Sequence, residues 1–349
     1  MNKNIKLAVA GAVLALSATA NAGIIIPAGE WTLDINGNVN AFATSTTIDR
    51  AESVTGDGGV AGAAAKGSPK SLHTGLLPAW LGFTGKTRQN DIDVEFTISM
   101  QPNVSDNSLA GDNNAPLFRQ SFLTFGDKSW GSVKLGKDIG IFASDAILND
   151  MTLLGVGAGA LNSGASTTLG GIGTGYIYAA WKGQVAYTTP NFNGFQATVG
   201  ITNPNQGIDT DNNLASVSGS NTASYGNHLN QDRFGLEGKA SYAFSADNFS
   251  GKIWVGGASQ KVKYNSSSAT DTTAANFKEY TATAADIGAN ISAGNAGLTA
   301  YYYTGSGAGT TVFLGNGYST ASGKRERDDR KHGEFICFFG GYWSSKSTK

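Results

Sequence analysis

The chain has 349 residues, a formal net charge of −1, 15% charged residues and one cysteine, Cys337. A single cysteine excludes the small secreted folds held by internal disulfides. Near-neutrality, with no basic cluster interleaved with aromatics before residue 324, excludes a general polyanion or nucleic-acid binder.

Lys3 and Lys6 precede an apolar run from Leu7 to Ala18 that closes on Ala20-Asn21-Ala22. This is the pattern of a secretory signal with a small-residue cleavage site, so residues 1–22 are expected to be removed before Gly23. The apolar core is nearer a dozen residues than the ~20 that a membrane helix needs. No later run is long enough for such a helix either, so any membrane crossing must be made by strands. At roughly 20 residues per strand with its turn or loop, the chain supports about 16 strands; a single soluble domain of this size is the other possibility.

From Trp31 to Ala41 the side chains alternate: Trp31, Leu33, Ile35, Val39 and Ala41 on one phase, Thr32, Asp34, Asn36, Asn38 and Asn40 on the other. Period two marks a strand whose faces meet different surroundings. A Gly/Ala/Ser-rich loop follows from about Thr44 to Ser71. In "WLGFTGK", Leu81 and Phe83 oppose Trp80, Thr84 and Lys86, and "TRQND" turns the chain into "DIDVEFTISM". There Ile92, Val94, Phe96, Ile98 and Met100 alternate with Asp93, Glu95, Thr97 and Ser99.

Further along, "QVAYTT" and "FQATVGI" flank "PNFNG". "RFGLEGKASYAF" sets Phe234, Leu236, Ala240, Tyr242 and Phe244 against Arg233, Glu237, Lys239 and Ser241, with Gly238 on the apolar phase. Short turns alternate with long polar loops such as 101–116 and 203–230, as in outer-membrane barrels. A secreted β-sandwich would alternate too, with water outside and a core inside. Its outer faces would carry many charges for solubility, whereas these polar faces are mainly Asn, Thr, Ser, Gln and Gly. The opposite faces are almost free of charge, as lipid demands, because Lys or Arg at mid-bilayer costs ~2–4 kcal/mol.

Catalytic and metal chemistry is not legible. His73, His228 and His332 have no ligand spacing. "GGIGTG" at 170–175 lacks the Lys-Ser/Thr and the strand-to-helix setting of a phosphate loop. "DTDNN" at 209–213 lacks the Gly and closing Glu of a calcium loop. No cofactor is expected, and no Ser/His/Asp or Cys/His set suggests an enzyme.

"LFRQSFLTFGDKSWGSVKLGKDIGIFASDAILNDM" (117–151) resembles the general porins of Gram-negative outer membranes. "AWLGFTGK" (79–86), "VAYTTPNFNGF" (185–195) and "YYYTGSGAGTT" (301–311) resemble further porin segments in the family order. The resemblance implies an all-β transmembrane antiparallel barrel over residues 23–327, of about 16 strands, with a third loop folded into the pore. It also implies a homotrimer in the outer membrane, in contact with lipid and lipopolysaccharide, that passes small hydrophilic solutes passively. The alternatives are a structural or adhesive barrel with a closed lumen, and the secreted sandwich.

Carried over residue by residue, Lys137 stands at a family wall cation. Strict alternation from Val133 and Leu135 would aim it at lipid, so a bulge at Gly136 is expected to reset the phase. Trp80 stands where many relatives carry Arg, and Lys182 lies near another basic position. Asp145 and Asp150 match the acids leading into the third loop, but residues 152–175 carry no charge. The expected wall residues are Asp34, Asp93, Glu95, Arg233, Glu237 and Lys239, and the expected constriction is Trp80, Lys137, Lys182, Asp145 and Asp150. With so few loop charges, ion selectivity should be modest.

From about Asp328 the alternation stops, the only cysteine appears, and no aromatic-ended closing strand follows. Residues 328–349 therefore read as a tail outside the native barrel sequence, as a lost reading frame near 325–330 would produce.

Overall fold

A computed structural model of the chain describes residues 24–45, 70–73, 75–102, 117–150, 153, 170–173, 175–205, 232–263, 279–294, 296–309, 312–314, 318–319, 324–325 and 330–340. The signal-like segment, His228 and "DTDNN" lie outside them.

The first strands are β1 (Ile24–Ala28), β2 (Trp31–Asn38), β3 (Phe42–Ser45), β4 (Lys70–His73), β5 (Trp80–Gln89) and β6 (Ile92–Gln101). The next are β7 (Leu117–Asp127), β8 (Gly131–Ile139), β9 (Trp181–Thr188), β10 (Phe195–Thr202), β11 (Gly235–Ala246) and β12 (Phe249–Val262). The last are β13 (Tyr280–Ala293), β14 (Ala296–Ser306), β15 (Tyr318–Ser319), β16 (Lys324–Arg325) and β17 (Arg330–Gly340). Among the described residues one short helix, α1, spans Ser144–Leu148. No helix among the described residues is long and apolar enough to cross a membrane.

Thirteen strands form one sheet in the order β1-β2-β5-β6-β7-β8-β9-β10-β11-β12-β13-β14-β17. Neighbours are antiparallel throughout, while β3–β4 and β15–β16 form separate ribbons. Connections alternate in length. Short turns join β1–β2, β5–β6, β7–β8, β9–β10, β11–β12 and β13–β14; long segments fill 39–79, 102–116, 140–180, 203–234, 263–279 and 307–329. The shortest turns are local chemistry: Asn90 and Asp91 both take positive φ, 50° and 62°, the combination that matches the right-handed twist of a tight hairpin.

The two faces of the sheet are chemically distinct. Leu81, Ile98, Leu123, Phe125, Leu135, Val185, Val199, Ile201, Leu236, Ile253, Val255 and Ile287 are all exposed on one face. A soluble sandwich buries such a face, and soluble proteins rarely expose a continuous apolar patch beyond a few hundred Å². This face meets lipid, and the fold is the transmembrane antiparallel barrel expected from the alternation. The opposite face carries Asp34, Thr84, Lys86, Glu95, Thr97, Ser99 and Lys134, and their pairing is internal: Thr84 and Thr97 hydroxyls lie 3.1 Å apart, and Lys86 meets Glu95 at 3.1 Å.

The pairing of β6 with β7 shifts register between Ser99 and Met100, so Arg119 is the extra residue of a bulge. By contrast, β7 and β8 pair continuously from Ser121–Lys137 to Asp127–Gly131. Gly136 therefore sits in register with Phe122 and resets nothing. In the tail, the Arg330–Gly340 backbone pairs along the whole of β14; backbone hydrogen bonding does not depend on side-chain alternation, so an atypical segment still forms a strand on an open edge.

Candidate functional site

The described parts of the third long connection, 140–150, 153, 170–173 and 175–180, lie against the inner face of the sheet, as the family resemblance implied. Its first turn is built around the left-handed Ala143 (φ 60°), from which α1 starts. Phe142, Ala146 and Ile147 pack with Trp254, Ala284 and Tyr301 in one buried cluster. Trp254 and Ala258 of β12 are buried there while Ile253 and Val255 are exposed, which identifies the even-numbered phase of β12 as the inner face. The inner wall of β12–β14 thus presents an apolar patch around Trp254, Ala284 and Tyr301, against which α1 packs. Open polar wall remains on the side of β2–β8.

A charged latch holds the loop to β9, β11 and β12. Glu237 Oε2 accepts the backbone N–H of Ile141 (2.8 Å) and of Phe142 (3.0 Å). Its other oxygen receives Lys182 Nζ at 2.7 Å, and Lys182 also reaches Asn205 Oδ1 at 3.0 Å. One turn further on, Asp145 Oδ2 takes Lys239 Nζ at 2.9 Å and Oδ1 takes Lys252 Nζ. Lys239 also donates to Ser144 Oγ at 2.7 Å. Burial by itself would raise the Asp145 carboxyl, but the Lys239 and Lys252 ammonium groups outweigh it and hold the group below its usual range. Gly200 makes the close approach possible: a Cβ there would stand 2.7 Å from Ile141 Cδ1 and 2.6 Å from the Val185 carbonyl. Gly200→Val is expected to push Ile141 off the wall, at about 1–3 kcal/mol of overpacking; thermal unfolding and single-channel noise measure it, and unchanged values for both would contradict the contact.

The expected site residues separate into groups. Asp145, Lys182, Glu237 and Lys239 come together in the latch. Asp150 is close by in sequence but is used inside the loop, where it accepts Tyr176 Oη–H at 2.5 Å and the Gly171 N–H at 2.8 Å. Burial, followed by the Asp150 charge, pushes the Tyr176 hydroxyl far above its ordinary range, so it stays a donor. Trp80 and Asp34 lie on the inner phase of β2 and β5, where Asn38 pairs with Trp80 and Asp34 with Thr84. Asp93 and Glu95 line the short-turn end, in contact with Arg88 (2.8 Å) and Lys86. Arg233 precedes β11 at the long-loop rim, its guanidinium held by Asp232 at 2.8 Å.

Lys137 does not lie where the resemblance implied. Without a bulge at Gly136 it shares the phase of the exposed Leu135, and its ammonium donates to the Phe118 carbonyl at 2.8 Å. It stands away from the latch.

Two cations were not singled out from the sequence. Lys252 occupies the inner phase of β12 and grips Asp145. Arg119, carried by the bulge, sets its guanidinium carbon 5.9 Å from the centre of the Trp181 ring, where the loop rejoins the wall. It has no carboxylate partner among the described residues. Beside it a polar chain crosses three strands: Gln101 Nε2 to Ser99 Oγ (3.0 Å), Ser99 Oγ to Gln120 Oε1 (3.0 Å) and Gln120 Nε2 to Asp138 Oδ1 (3.1 Å). Asp138 also pairs with Lys134. Arg119→Gln is expected to move the reversal potential in a salt gradient toward cations, and Lys137→Gln to leave it in place. Equal shifts from both substitutions would put Lys137 in the ion path.

Comparison with known proteins gives a consistent picture. A family model described as Gram-negative porin matches residues 7–329. Among solved structures, the outer membrane channel DcaP of Acinetobacter baumannii is similar at 16% identity and a TM-score of 0.54, over 84% of this chain and 69% of that one. Salmonella typhi OmpF in complex with daunomycin is similar at 18% identity and a TM-score of 0.48, over 81% and 68%. The anion-selective porin from Comamonas acidovorans is similar at 16% identity and 0.42, over 79% of each chain. No curated protein matches the sequence. At this identity the first structural likeness speaks for the fold, and the family match carries the assignment.

Proposed function

The chain belongs to the Gram-negative porin family, whose model spans residues 7–329, and we propose that its lumen passes small hydrophilic solutes with little preference for the sign of their charge. It is an outer-membrane porin, a water-filled channel for passive diffusion. The observation that carries the selectivity reading is the fate of the loop acids: Asp145 is neutralised by two lysines and Asp150 is turned into the loop. Neither is left to set up a strong transverse field against Arg119 and Lys134 on the wall. On the open side of the lumen, Lys86–Glu95, Arg88–Asp93 and Lys134–Asp138 are pairs of opposite sign, and paired charges in a wet pore screen solutes weakly.

Planar-bilayer recording tests the reading. Stepwise open-channel conductance with a reversal potential near zero in a salt gradient is expected. Strong cation or anion selectivity would contradict the proposal, and an absence of steps would favour a closed-lumen barrel.

Three finer points belong to the same proposal. The functional unit is a homotrimer, which crosslinking of the purified protein tests. Residues 1–22 are cleaved on export, which N-terminal sequencing tests. Residues 328–349 are not native barrel sequence, a reading supported by the lost alternation; a clean read of the 3′ end of the gene in this frame would sink it.

A further inference from the structure

We propose that the connection after β14 supplies a second inward-folded element, residues 307–309 and 312–314, and that this element together with the third loop sets the largest solute the pore admits. The inference deepens the channel reading and rests on it, since a size limit exists only if the lumen conducts.

The inward turn is written in "YYYTGSGAGTTVFLGNG" (301–317). Tyr301 and Tyr303 are buried while Tyr302 is exposed, so the odd positions of β14 point into the barrel and Gly305 continues that phase. Without a side chain at Gly305 the chain folds back onto its own strand: a Cβ there would stand 2.7 Å from Cβ of Ala308. Gly307 and Gly309 take positive φ, 63° and 78°, which glycine adopts without steric cost. A Cβ on Gly307 would meet the Tyr280 ring at 2.5 Å.

The returning chain is fastened at three points. The Leu314 N–H donates to the Ala308 carbonyl at 2.7 Å and closes the turn. Val312 forms a parallel bridge with Tyr178 on the return limb of the third loop. The Phe313 ring meets Phe142 edge-on, with centroids 6.2 Å apart. Phe313 and Leu314 are both buried, in the cluster that also takes Ile147, Trp254 and Tyr301. Leu314 is held there at φ 76°, a conformation that is costly for a bulky side chain and persists only where the surroundings over-determine it.

Connecting loops run over the surface and into water. Here Val312, Phe313 and Leu314 stand together in a stretch otherwise made of Gly, Ala, Thr, Ser, Asn and one Tyr (307–323), and two of the three are buried inside the barrel against the third loop. Both inward segments thus occupy the side of β12–β14, and the solute path keeps the side of β2–β8. Its cross-section is what two segments leave, not one. Residues 307–323 carry no charge, so this element acts on solute size and leaves ion selectivity alone.

The test uses the full-length chain in a Cys337→Ser background, purified and reconstituted into liposomes and planar bilayers. Bridged strands lie ~4.8 Å apart, inside the ~4.4–6.8 Å Cα separation that a disulfide spans. Tyr178→Cys combined with Val312→Cys should therefore crosslink within the chain on oxidation, and a pair that stays reduced overturns the placement. Phe313→Ser combined with Leu314→Asn removes both apolar anchors without adding charge. Gly307→Val displaces the segment by a second route, setting a branched side chain at positive φ against Tyr280. Liposome swelling with neutral sugars of increasing length should show the size limit shifted to longer sugars in both release variants, while the reversal potential in a salt gradient stays that of the parent. Adding the cysteine pair to the Phe313→Ser, Leu314→Asn variant and oxidising it should restore the parent limit, and dithiothreitol should undo the restoration. An unchanged limit in the two release variants, or a shifted limit that the crosslink does not restore, overturns the proposal and leaves the channel reading standing. A parent that passes no sugar overturns the channel reading and the size limit with it, whatever the crosslink shows.

Discussion

Glu237→Ala is expected to free the start of the inward loop and to be the most disruptive single substitution in the lumen. The carboxylate does three things at once: one oxygen receives two consecutive backbone N–H groups of the loop, and the other receives Lys182. Removing it strands two donors, each costing about 1–3 kcal/mol when left unsatisfied. It also leaves a lysine that is only 9% exposed without its counter-charge, a loss of ~3–5 kcal/mol in a buried setting. Lumen water and the side-chain Oδ1 of Asn205 offer Lys182 partial relief, so the lower end of that range is expected for the whole change. The readouts are a lowered thermal unfolding temperature and flickering sub-conductance steps in single-channel records. Glu237→Gln keeps an acceptor for the two N–H groups and should fall between parent and Ala variant. Quiet, full-conductance channels from the Ala variant would show that the loop is held by its apolar face alone.

That apolar face is also where the sequence was least informative. Alternation placed Asp34, Asp93, Glu95, Glu237 and Lys239 on the inner wall because a strand's side-chain period is two and the wall is regular there. Hairpin register then makes the Lys86–Glu95 and Arg88–Asp93 pairs follow almost automatically from the Asn90–Asp91 turn. Expectation and structure differ at two points, for opposite reasons. A bulge was expected at Gly136, since glycine permits one, but its neighbours keep their ladder and Lys137 stays outward. A bulge does occur at Arg119, where no glycine or proline announces it, and there the register of β6 against β7 shifts.

The latch was illegible for a different reason. Asp145 meets Lys239 and Lys252 across 94 and 107 residues of chain, and nothing local links an acid in a loop to lysines on strands so distant. Only the landing place of the loop decides it. That place is set by Gly200, where a side chain would collide with Ile141, and by the small residues Ala258, Ala282 and Ala284 that make room for α1. As single letters these residues read as unremarkable strand positions, and their meaning appears when the loop is laid on them.

Acidification should leave the latch intact down to the ordinary carboxylate range, and removing its lysines should make it acid-labile. The folded Asp145 carboxyl lies below its usual value, against the pull of burial, because of Lys239 and Lys252. A depressed carboxylate contributes stability that is fully present above the unfolded pKa, ~3.9 for Asp, and is lost as pH falls through the lower folded value. Channels of the parent protein should therefore keep the same conductance and noise from neutral pH to about pH 4, with loop release confined to more acid solution. In Lys239→Gln combined with Lys252→Gln, burial acts unopposed and favours the protonated form. The sign of the shift reverses: the carboxyl now takes up a proton above its ordinary range, and the onset of channel flicker should move up in pH. Asp145→Asn in the same background removes the titrating group and should abolish the dependence. An onset that stays below pH 4 in the double-lysine variant would mean that those two ammonium groups do not govern Asp145, and that Glu237 with Lys182 fastens the loop alone.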